Sequence, residues 1–289
     1  MRDRLREIIE TRANDPGAIR RAAERRVKAA APLGGGGRAM IIAADHPARG
    51  ALAVGGNPMA MADRAELLER LCVALARPGV TGVLGTADIL EDLLLLGALD
   101  GKAVFGSMNR GGLAGSCFEI DDRFTGYDAA TIAEMGFDGG KMLTRIAPAD
   151  PATPSILENS ARAVNELTER GLVAMVEPFL SAWQDGRLRN DLTPDAVIKS
   201  IAIASGLGAT SARTWLKLPV VPEMERVLAA TTLPVLLLGG EVKDADAAFA
   251  SWKEALALPV VRGLVVGRSL LYPADDDVAG AVDRAVSLL

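Results

Sequence analysis

Short apolar runs alternate with longer amphipathic segments along most of this chain, from residue 38 onward. Each run has the length of a buried strand, and each following segment repeats its apolar residues at helical spacing. We count eight such β/α units. The predicted strands are RAMIIAAD (38–45), VTGVLG (80–85), KAVFGSM (102–108), GGKMLTRI (139–146), LVAMVEPF (172–179), RTWLKLPV (213–220), LPVLLLGG (233–240) and VRGLVVGR (261–268).

Continuous apolar strands joined by helices are typical of a parallel sheet. Eight units favour an α/β protein with a single closed (β/α)8 TIM barrel over an open doubly wound sheet. Residues 2–30 carry apolar positions at helical spacing among many charges, which predicts one or two surface helices closing an end of the domain. We therefore expect a helical extension and linker over residues 1–37 and a barrel domain over residues 38–289.

Composition narrows the classes of protein to consider. Hydrophobic residues make up 49% of the chain and charged residues 24%, which indicates a sizeable core and argues against disorder. The net charge is -5 and basic residues are scattered, so nucleic acid is not an expected partner. A charged N-terminus and the lack of a long uncharged stretch indicate neither secretion nor membrane insertion. The separated Cys72 and Cys117 suggest a reducing cytoplasm without a disulfide.

Polar or ionisable residues recur where the predicted strands end. Because the C-terminal ends of parallel strands meet at one rim of a barrel, we expect these residues to converge where barrel enzymes place their chemistry. The longest non-helical stretch, residues 109–126, follows the third strand and should overhang the same rim. The residues at the strand ends are Asp45, Asn109, Lys141, Glu177, Lys217, Gly239, Gly240, Gly267 and Arg268.

Two of the seven lysines, Lys141 and Lys217, lie inside apolar strands. Burial favours the neutral amine, so either lysine could become a nucleophile near neutral pH, as Schiff-base chemistry requires. If Leu216 and Leu218 face the helices, Lys217 points into the barrel. The alternatives are that Lys217 reaches solvent or binds a carboxylate, and that Lys141 is a structural ion-pair partner.

Three further residues complete the candidate centre. Glu177 ends the fifth strand, between the two lysines in chain order, where it could shuttle protons or form a salt bridge to either amine. Asp45 could accept hydrogen bonds from sugar hydroxyls. His46, the single histidine, could carry a proton or be a packed ring. With one histidine and no ligand spacing, we expect no metal.

The loops after the last two strands suggest a phosphate site. Gly239, Gly240 and Gly267 would let the backbone approach a phosphate closely, and Arg268 would add a charged hydrogen-bond donor. These glycines could instead only form turns.

In the loop after the third strand, Arg110 and Arg123 could pair with a carboxylate or sulfonate at the far end of a substrate. They could equally be solvated surface arginines.

Six segments together resemble a known family: AADH (43–46), GGKML (139–143), VEPF (176–179), WLKLP (215–219), LLGGEV (237–242) and VVGRSLL (265–271). They are similar to the class I aldolase superfamily of deoxyribose-phosphate, tagatose-bisphosphate and archaeal-type fructose-bisphosphate aldolases, over roughly residues 38–280. The resemblance implies a cofactor-free enzyme that acts on a phosphorylated small molecule and forms a homo-oligomer.

The same resemblance implies residue roles. Lys217 would be the Schiff-base lysine, and the aspartate, lysine and glutamate of the tagatose-bisphosphate branch would be Asp45, Lys141 and Glu177. Phosphate would bind at the positions of Gly239, Gly240, Gly267 and Arg268.

The resemblance also bears on the substrate. The tyrosine acid/base of the archaeal enzymes has no match near Glu177, where Phe179 and Trp183 are the aromatic residues. The NRGG (109–112) and DDRFTGYD (121–128) segments look closer to a bacterial subgroup associated with inositol breakdown. This implies 2-deoxy-5-keto-gluconate 6-phosphate, cleaved to dihydroxyacetone phosphate and malonate semialdehyde. The alternatives are a thiolase-like Schiff-base acyltransferase on a phosphorylated diketone and a non-catalytic phosphosugar-binding barrel.

Overall fold

The computed structural model of the protein describes residues 1–240 and 244–289. Within these residues, eight parallel strands pair in a closed ring, in the order β1-β2-β3-β4-β5-β7-β8-β9 and back to β1. The predicted (β/α)8 barrel is therefore confirmed. The strands of the described residues are β1 (Ala39–Ala43), β2 (Gly82–Gly85), β3 (Ala103–Ser107), β4 (Gly139–Ile146), β5 (Val173–Gln184), β6 (Arg187–Asn190), β7 (Thr214–Leu218), β8 (Val235–Leu238) and β9 (Val261–Val266).

Helices follow the barrel strands and cover the outside of the ring. Several begin at a side chain that accepts a hydrogen bond from the first turn, as Asp63 does from the Glu66 backbone and Thr193 from the Ala196 backbone. The helices are α1 (Arg2–Asn14), α2 (Gly17–Arg25), α3 (Arg64–Leu75), α4 (Ala87–Leu95), α5 (Ala129–Glu134), α6 (Thr153–Glu169), α7 (Pro194–Ser205), α8 (Met224–Leu228), α9 (Ala245–Leu256), α10 (Arg268–Leu271) and α11 (Val278–Val286).

Alternation along each strand divides the apolar residues into two layers. One cluster fills the inside of the barrel and includes Ile41, Phe105 and Met175, and a larger cluster lies between the strands and the helices. On β7, Leu216 and Leu218 belong to the outer cluster, whereas Trp215 packs against the inner one. Lys217 therefore faces the barrel interior, as the sequence pattern predicts.

The N-terminal extension is helical and packs on one side of the barrel. Arg12 of α1 donates to the carboxylates of Glu91 and Asp92 on α4. The segment after α2 then brings Ala29 and Leu33 against the inner apolar cluster. That inner layer would otherwise meet water at one end of the barrel.

A hairpin at the end of β5 departs from the predicted pattern. The fifth strand does not stop at residue 179 but continues to Gln184, turns through Asp185 and Gly186, and pairs antiparallel with β6. Both turn residues have positive φ, 50° and 71°, which suits an Asp-Gly turn between two strands. The extension is half-exposed, so no continuous apolar run marks it in the sequence.

No helix in residues 1–240 or 244–289 is both long enough and apolar enough to cross a lipid bilayer.

The glycine at a bulge in β9 provides a test of the barrel's closure. Gly263 has φ of 135° and pairs with Ala39 of β1, and a Cβ there would lie 1.9 Å from the Ala39 carbonyl oxygen. We expect Gly263→Ala to lower the free energy of unfolding by about 3 kcal/mol, because the side chain adds both strain and a clash. Urea denaturation measures this. Gly36→Ala, where nothing lies within 4 Å of the added Cβ, should stay within about 0.5 kcal/mol of the parent protein; equal effects would contradict the prediction.

Candidate active site

One carboxylate holds two buried amines at the mouth of the barrel. Glu177 of β5 accepts a hydrogen bond from Lys217 Nζ at 2.5 Å through Oε1 and contacts Lys141 Nζ through Oε2. The two lysines reach it from β4 and β7, the strands on either side of β5. Lys141 is fully buried, and Lys217 is 5% exposed. The structure thus brings together three of the predicted site residues.

Asp45 extends this centre toward the loop after β3. Its Oδ2 lies 3.1 Å from Lys141 Nζ and accepts a hydrogen bond from Ser107 Oγ at 3.3 Å. The same oxygen contacts the Arg110 guanidinium, which also donates to Ser107 Oγ. A continuous chain of alternating charges therefore runs from Lys217 through Glu177, Lys141 and Asp45 to Arg110.

Burial sets the protonation of these groups. It lowers the pKa of Lys217 and lowers that of Lys141 farther, and the positive charge of Arg110 acts in the same direction on both. Burial alone would raise the pKa of Glu177, but Lys141 and Lys217 outweigh it and lower that pKa. Glu177 is thus an anion beside two amines whose lowered pKa values make loss of a proton easier, which suits proton transfer to and from a nucleophilic amine.

His46 lies between this centre and the glycine loops. Its Nδ1 is 3.8 Å from Asp45 Oδ1, too far for a hydrogen bond, and its Cε1 is 3.1 Å from where a Cβ on Gly267 would be. Burial lowers the His46 pKa to about 3, with Arg268 and Lys217 adding their positive charges. His46 is therefore a neutral imidazole at physiological pH.

Of the predicted phosphate-binding residues, Gly267 lies against His46, and Gly239 lies against Val266 and Ser269. Gly267 leaves no room for a side chain, since a Cβ would lie 2.3 Å from the Ala43 carbonyl oxygen, and Gly240 has φ of 61°. Arg268 donates to the Ala53 carbonyl oxygen at 3.4 Å. Of the predicted LLGGEV motif, Glu241 and Val242 lie outside the described residues.

A cavity of about 990 Å³ opens next to these loops. Its lining includes Gly240, Arg268, Ser269, Phe249 and Trp252. Ser269 Oγ is buried and has no hydrogen-bond partner among the residues that the structure describes. The space therefore borders the loop after β8 and helix α10, and its lining among the described residues does not include Lys217, Lys141 or Glu177.

The loop after β3 contains one arginine at the centre and one at the surface. Arg110 is buried against Asp45, whereas the Arg123 side chain is 73% exposed and pairs with Asp121. The structure therefore does not bring Arg123 to the centre. Asn109, at the start of the loop, donates to the Leu143 carbonyl oxygen and accepts from the Leu143 backbone N–H, which fixes the loop to β4.

A second group of buried charges was not found by sequence reasoning. Arg49, after β1, and Arg145, on β4, both donate to Glu119 Oε1 from the loop, at 2.9 and 2.6 Å. Asp122 Oδ2 lies 3.6 Å from Arg49 and 3.8 Å from Arg145. Strand alternation was the available signal, because Arg145 has the same parity as Lys141 on β4 and so faces the same side.

No group of three or more His, Cys, Asp or Glu side chains in the described parts of the chain is arranged to hold a metal ion. Cys72 is half-buried and Cys117 exposed, and both are free thiols.

Comparisons with known proteins place this geometry in a family. A family model described as Cgl0159-like matches residues 37–286. The crystal structure of Cgl0159 from Corynebacterium glutamicum (Brevibacterium flavum) is similar with a TM-score of 0.97 and 55% identity, covering 100% of this chain and 97% of that one. A comparison with curated proteins found no match.

Two more distant structures are archaeal fructose-1,6-bisphosphate aldolases. One has a TM-score of 0.65 and 18% identity, and covers 93% of this chain and 98% of its own. The other, with the catalytic lysine covalently bound to the carbinolamine intermediate of its substrate, has a TM-score of 0.63 and 19% identity over the same shares. The predicted resemblance to class I aldolases is thus confirmed at the level of the fold.

The environment of His46 can be tested directly, because the chain has no other histidine. We expect its ring resonances to show no titration between about pH 5 and pH 8, and a change only as the pH approaches 3. The unfolded chain binds this proton near pH 6.5, whereas the folded protein binds it only near pH 3. His46 should therefore lower the free energy of unfolding as the pH falls from about 6.5 toward 3. Nuclear magnetic resonance of protein labelled at histidine measures the titration. A midpoint near 6.5 would contradict the assignment of a neutral imidazole whose Nδ1 is buried although 23% of the side chain is exposed.

Proposed function

The chain belongs to the Cgl0159-like family, and we propose that it is a class I aldolase that cleaves a phosphorylated keto-sugar or keto-sugar acid through a Schiff base on Lys217. The observation that carries the proposal is the sharing of Glu177 by two buried amines, Lys141 and Lys217. A fold shared with Schiff-base-forming fructose-1,6-bisphosphate aldolase supports it. Because barrels host many activities, the proposal rests on the side chains rather than on the fold.

The greater solvent exposure of Lys217 favours it over Lys141 as the nucleophile. Lys141 is enclosed between Asp45 and Glu177 and has no exposed surface, whereas Lys217 contacts one carboxylate and keeps some exposure. Lys217 also lies near enough to Arg268 for that charge to lower its pKa. A ketone carbon next to a phosphate-bearing carbon would therefore meet Lys217 once the phosphate is held at Arg268.

The first half of the reaction forms the imine. Neutral Lys217 Nζ attacks the ketone carbon, Glu177 passes a proton from the nitrogen to the ketone oxygen, and a carbinolamine results. Glu177 then takes a proton from solvent and gives it to the departing hydroxyl, so that water leaves and the protonated imine forms. Lys141, between Glu177 and Asp45, supplies the positive charge that stabilises the oxygen during these steps.

The second half breaks the carbon–carbon bond. The hydroxyl on the carbon β to the imine loses its proton as the α–β bond breaks, so an aldehyde departs and the electron pair moves into the protonated imine to form an enamine on Lys217. The α-carbon of that enamine then takes a proton, and water hydrolyses the imine to release the ketone and restore the amine. Asp45 and Lys141 hold the substrate hydroxyl and carbonyl oxygens in this scheme.

The candidate substrate is 2-deoxy-5-keto-gluconate 6-phosphate. Its ketone lies next to the phosphate-bearing carbon, and cleavage by these steps yields dihydroxyacetone phosphate and malonate semialdehyde. Its phosphate would bind the backbone of Gly239, Gly240 and Gly267, with Arg268 and Ser269 contributing side-chain donors. The cavity beside these loops borders Gly240, Arg268 and Ser269 but not Lys217, so in this proposal it serves only the phosphate end of the substrate.

The decisive test is to trap the imine. Incubation with dihydroxyacetone phosphate followed by borohydride reduction should attach the three-carbon unit irreversibly to Lys217, and peptide mass mapping locates it. Lys217→Met should form no adduct. Lys141→Met should still form the adduct, because its nitrogen is not the nucleophile, but more slowly, because the group that stabilises the ketone oxygen is lost.

The outcome distinguishes the functions open to this site. Reversible phosphosugar binding without an adduct would favour a non-catalytic barrel. An adduct at Lys217 with acyl transfer instead of aldehyde release would favour the acyltransferase. An adduct at Lys141 would contradict the assignment of the nucleophile.

Glu177→Gln tests the proton shuttle. We expect kcat for cleavage to fall by about 10²- to 10⁴-fold, since the amide fills the same space but cannot exchange protons with Lys217 or the carbinolamine oxygen. Single-turnover kinetics with borohydride trapping at timed intervals would show slower imine formation with dihydroxyacetone phosphate still bound. An unchanged rate of imine formation would remove Glu177 from this step.

A further inference from the structure

Two buried arginines outside the lysine centre converge on one carboxylate of the loop over the barrel mouth. Arg49 and Arg145 are 7% and 5% exposed, and both donate to Glu119 Oε1. The loop is also attached by the Glu119 carbonyl oxygen, which accepts from Arg145, and by Ala114 N–H, which donates to the Arg49 carbonyl oxygen. Glu119 is therefore enclosed by a two-arginine pocket rather than resting on a surface.

Such a pocket is costly unless it holds an anion. Burial and the neighbouring charge of Arg49 together lower the Arg145 pKa to about 10. Within the described residues, Arg145 Nε and Asp122 Oδ2 are buried and make no hydrogen bond. The loop thus leaves one donor of Arg145 and one acceptor of Asp122 without a hydrogen-bond partner in the described residues.

Arg145 comes from β4, which stands opposite β9 and the proposed phosphate site in the ring, whereas Arg49 follows β1, the neighbour of β9. Arg49 and Arg145 come from the half of the ring formed by β1 to β4, whereas Lys217 and the glycine loops belong to the half formed by β5, β7, β8 and β9. Arg145 also faces the same side of β4 as Lys141. A substrate held by its phosphate and by Lys217 would extend its other end toward this pocket.

We propose that Arg49 and Arg145 form the receptor for a carboxylate on the aldehyde half of the substrate, and that Glu119 occupies this receptor until the substrate displaces it. The inference rests on the proposed aldolase function and specifies its acceptor as a β-oxo acid.

The charges favour a carboxylate over a phosphate. With Glu119 withdrawn, two guanidiniums and the Asp122 carboxylate leave one net positive charge, which matches a monoanion. The present occupant is itself a carboxylate, and guanidinium donors suit its planar shape. Arg123, at the surface with Asp121, takes no part.

The test compares two aldehydes of equal chain length in the addition to dihydroxyacetone phosphate: 3-oxopropanoate, which has the carboxylate, and propanal, which lacks it. We expect the protein to prefer 3-oxopropanoate. Arg145→Gln should raise KM for 3-oxopropanoate by about 10- to 100-fold and leave propanal kinetics unchanged, because only a charge-assisted contact to the carboxylate is lost. Glu119→Gln should lower KM for 3-oxopropanoate several-fold, because the competing carboxylate is gone.

A second measurement needs no turnover. 3-Hydroxypropanoate, an unreactive carboxylate, should raise the melting temperature of the Glu119→Gln protein progressively as its concentration increases, and should fail to do so when Arg145→Gln is added. Arg162→Gln, on the exposed face of α6, is the matched control and should alter neither readout.

The outcomes separate failure of the receptor from failure of the aldolase. The two arginines would only hold the loop in place if Arg145→Gln impaired the reaction equally with both aldehydes. The same would follow if the parent protein did not prefer 3-oxopropanoate over propanal. If no adduct forms at Lys217 in the parent protein, the aldolase proposal fails, and the melting experiment still decides whether the arginines bind a carboxylate. If 3-hydroxypropanoate does not raise the melting temperature of the Glu119→Gln protein, the proposed carboxylate receptor is wrong.

Discussion

The contact of Glu177 with two amines is the constraint on which the site depends. An ammonium inside a barrel costs several kcal/mol without a partner, and two such groups near one another cost more. Glu177 contacts Lys217 through one oxygen and Lys141 through the other, while Asp45 takes the remaining side of Lys141. Removing this carboxylate would leave Lys217 without a carboxylate partner and Lys141 with Asp45 alone, so Glu177 makes the burial of both lysines tolerable.

The barrel makes this arrangement possible because its strands direct all three side chains into the interior. Lys141 and Lys217 come from strands on either side of β5, and alternation points both inward with Glu177. The inner apolar layer below them, which includes Phe105 and Met175, is covered at its other end by Ala29 and Leu33. The side chains that need polar partners therefore gather at the rim where the loops can supply them.

Loops determine how far the charged network extends. The sequence patterns did not predict the structure of these loops. Continuous apolar runs and strand parity were enough for the eight units and the inward lysine on β7, because both are local patterns. They were not enough for the β5–β6 hairpin, whose half-exposed strands show no apolar run despite an Asp-Gly turn. Nor did they separate Arg110 from Arg123, which lie in one loop but differ in burial.

The sequence by itself determined the fold class and the residue types available at the rim, since periodicity and strand ends are properties of neighbouring residues. Only the tertiary structure decided which charges meet. Lys141 and Asp45 are 96 residues apart in the chain, and Arg49 and Glu119 are 70 apart. Each of these contacts exists because strand pairing around the ring and the path of the loop bring the partners within hydrogen-bond distance, and no local pattern encodes that closeness.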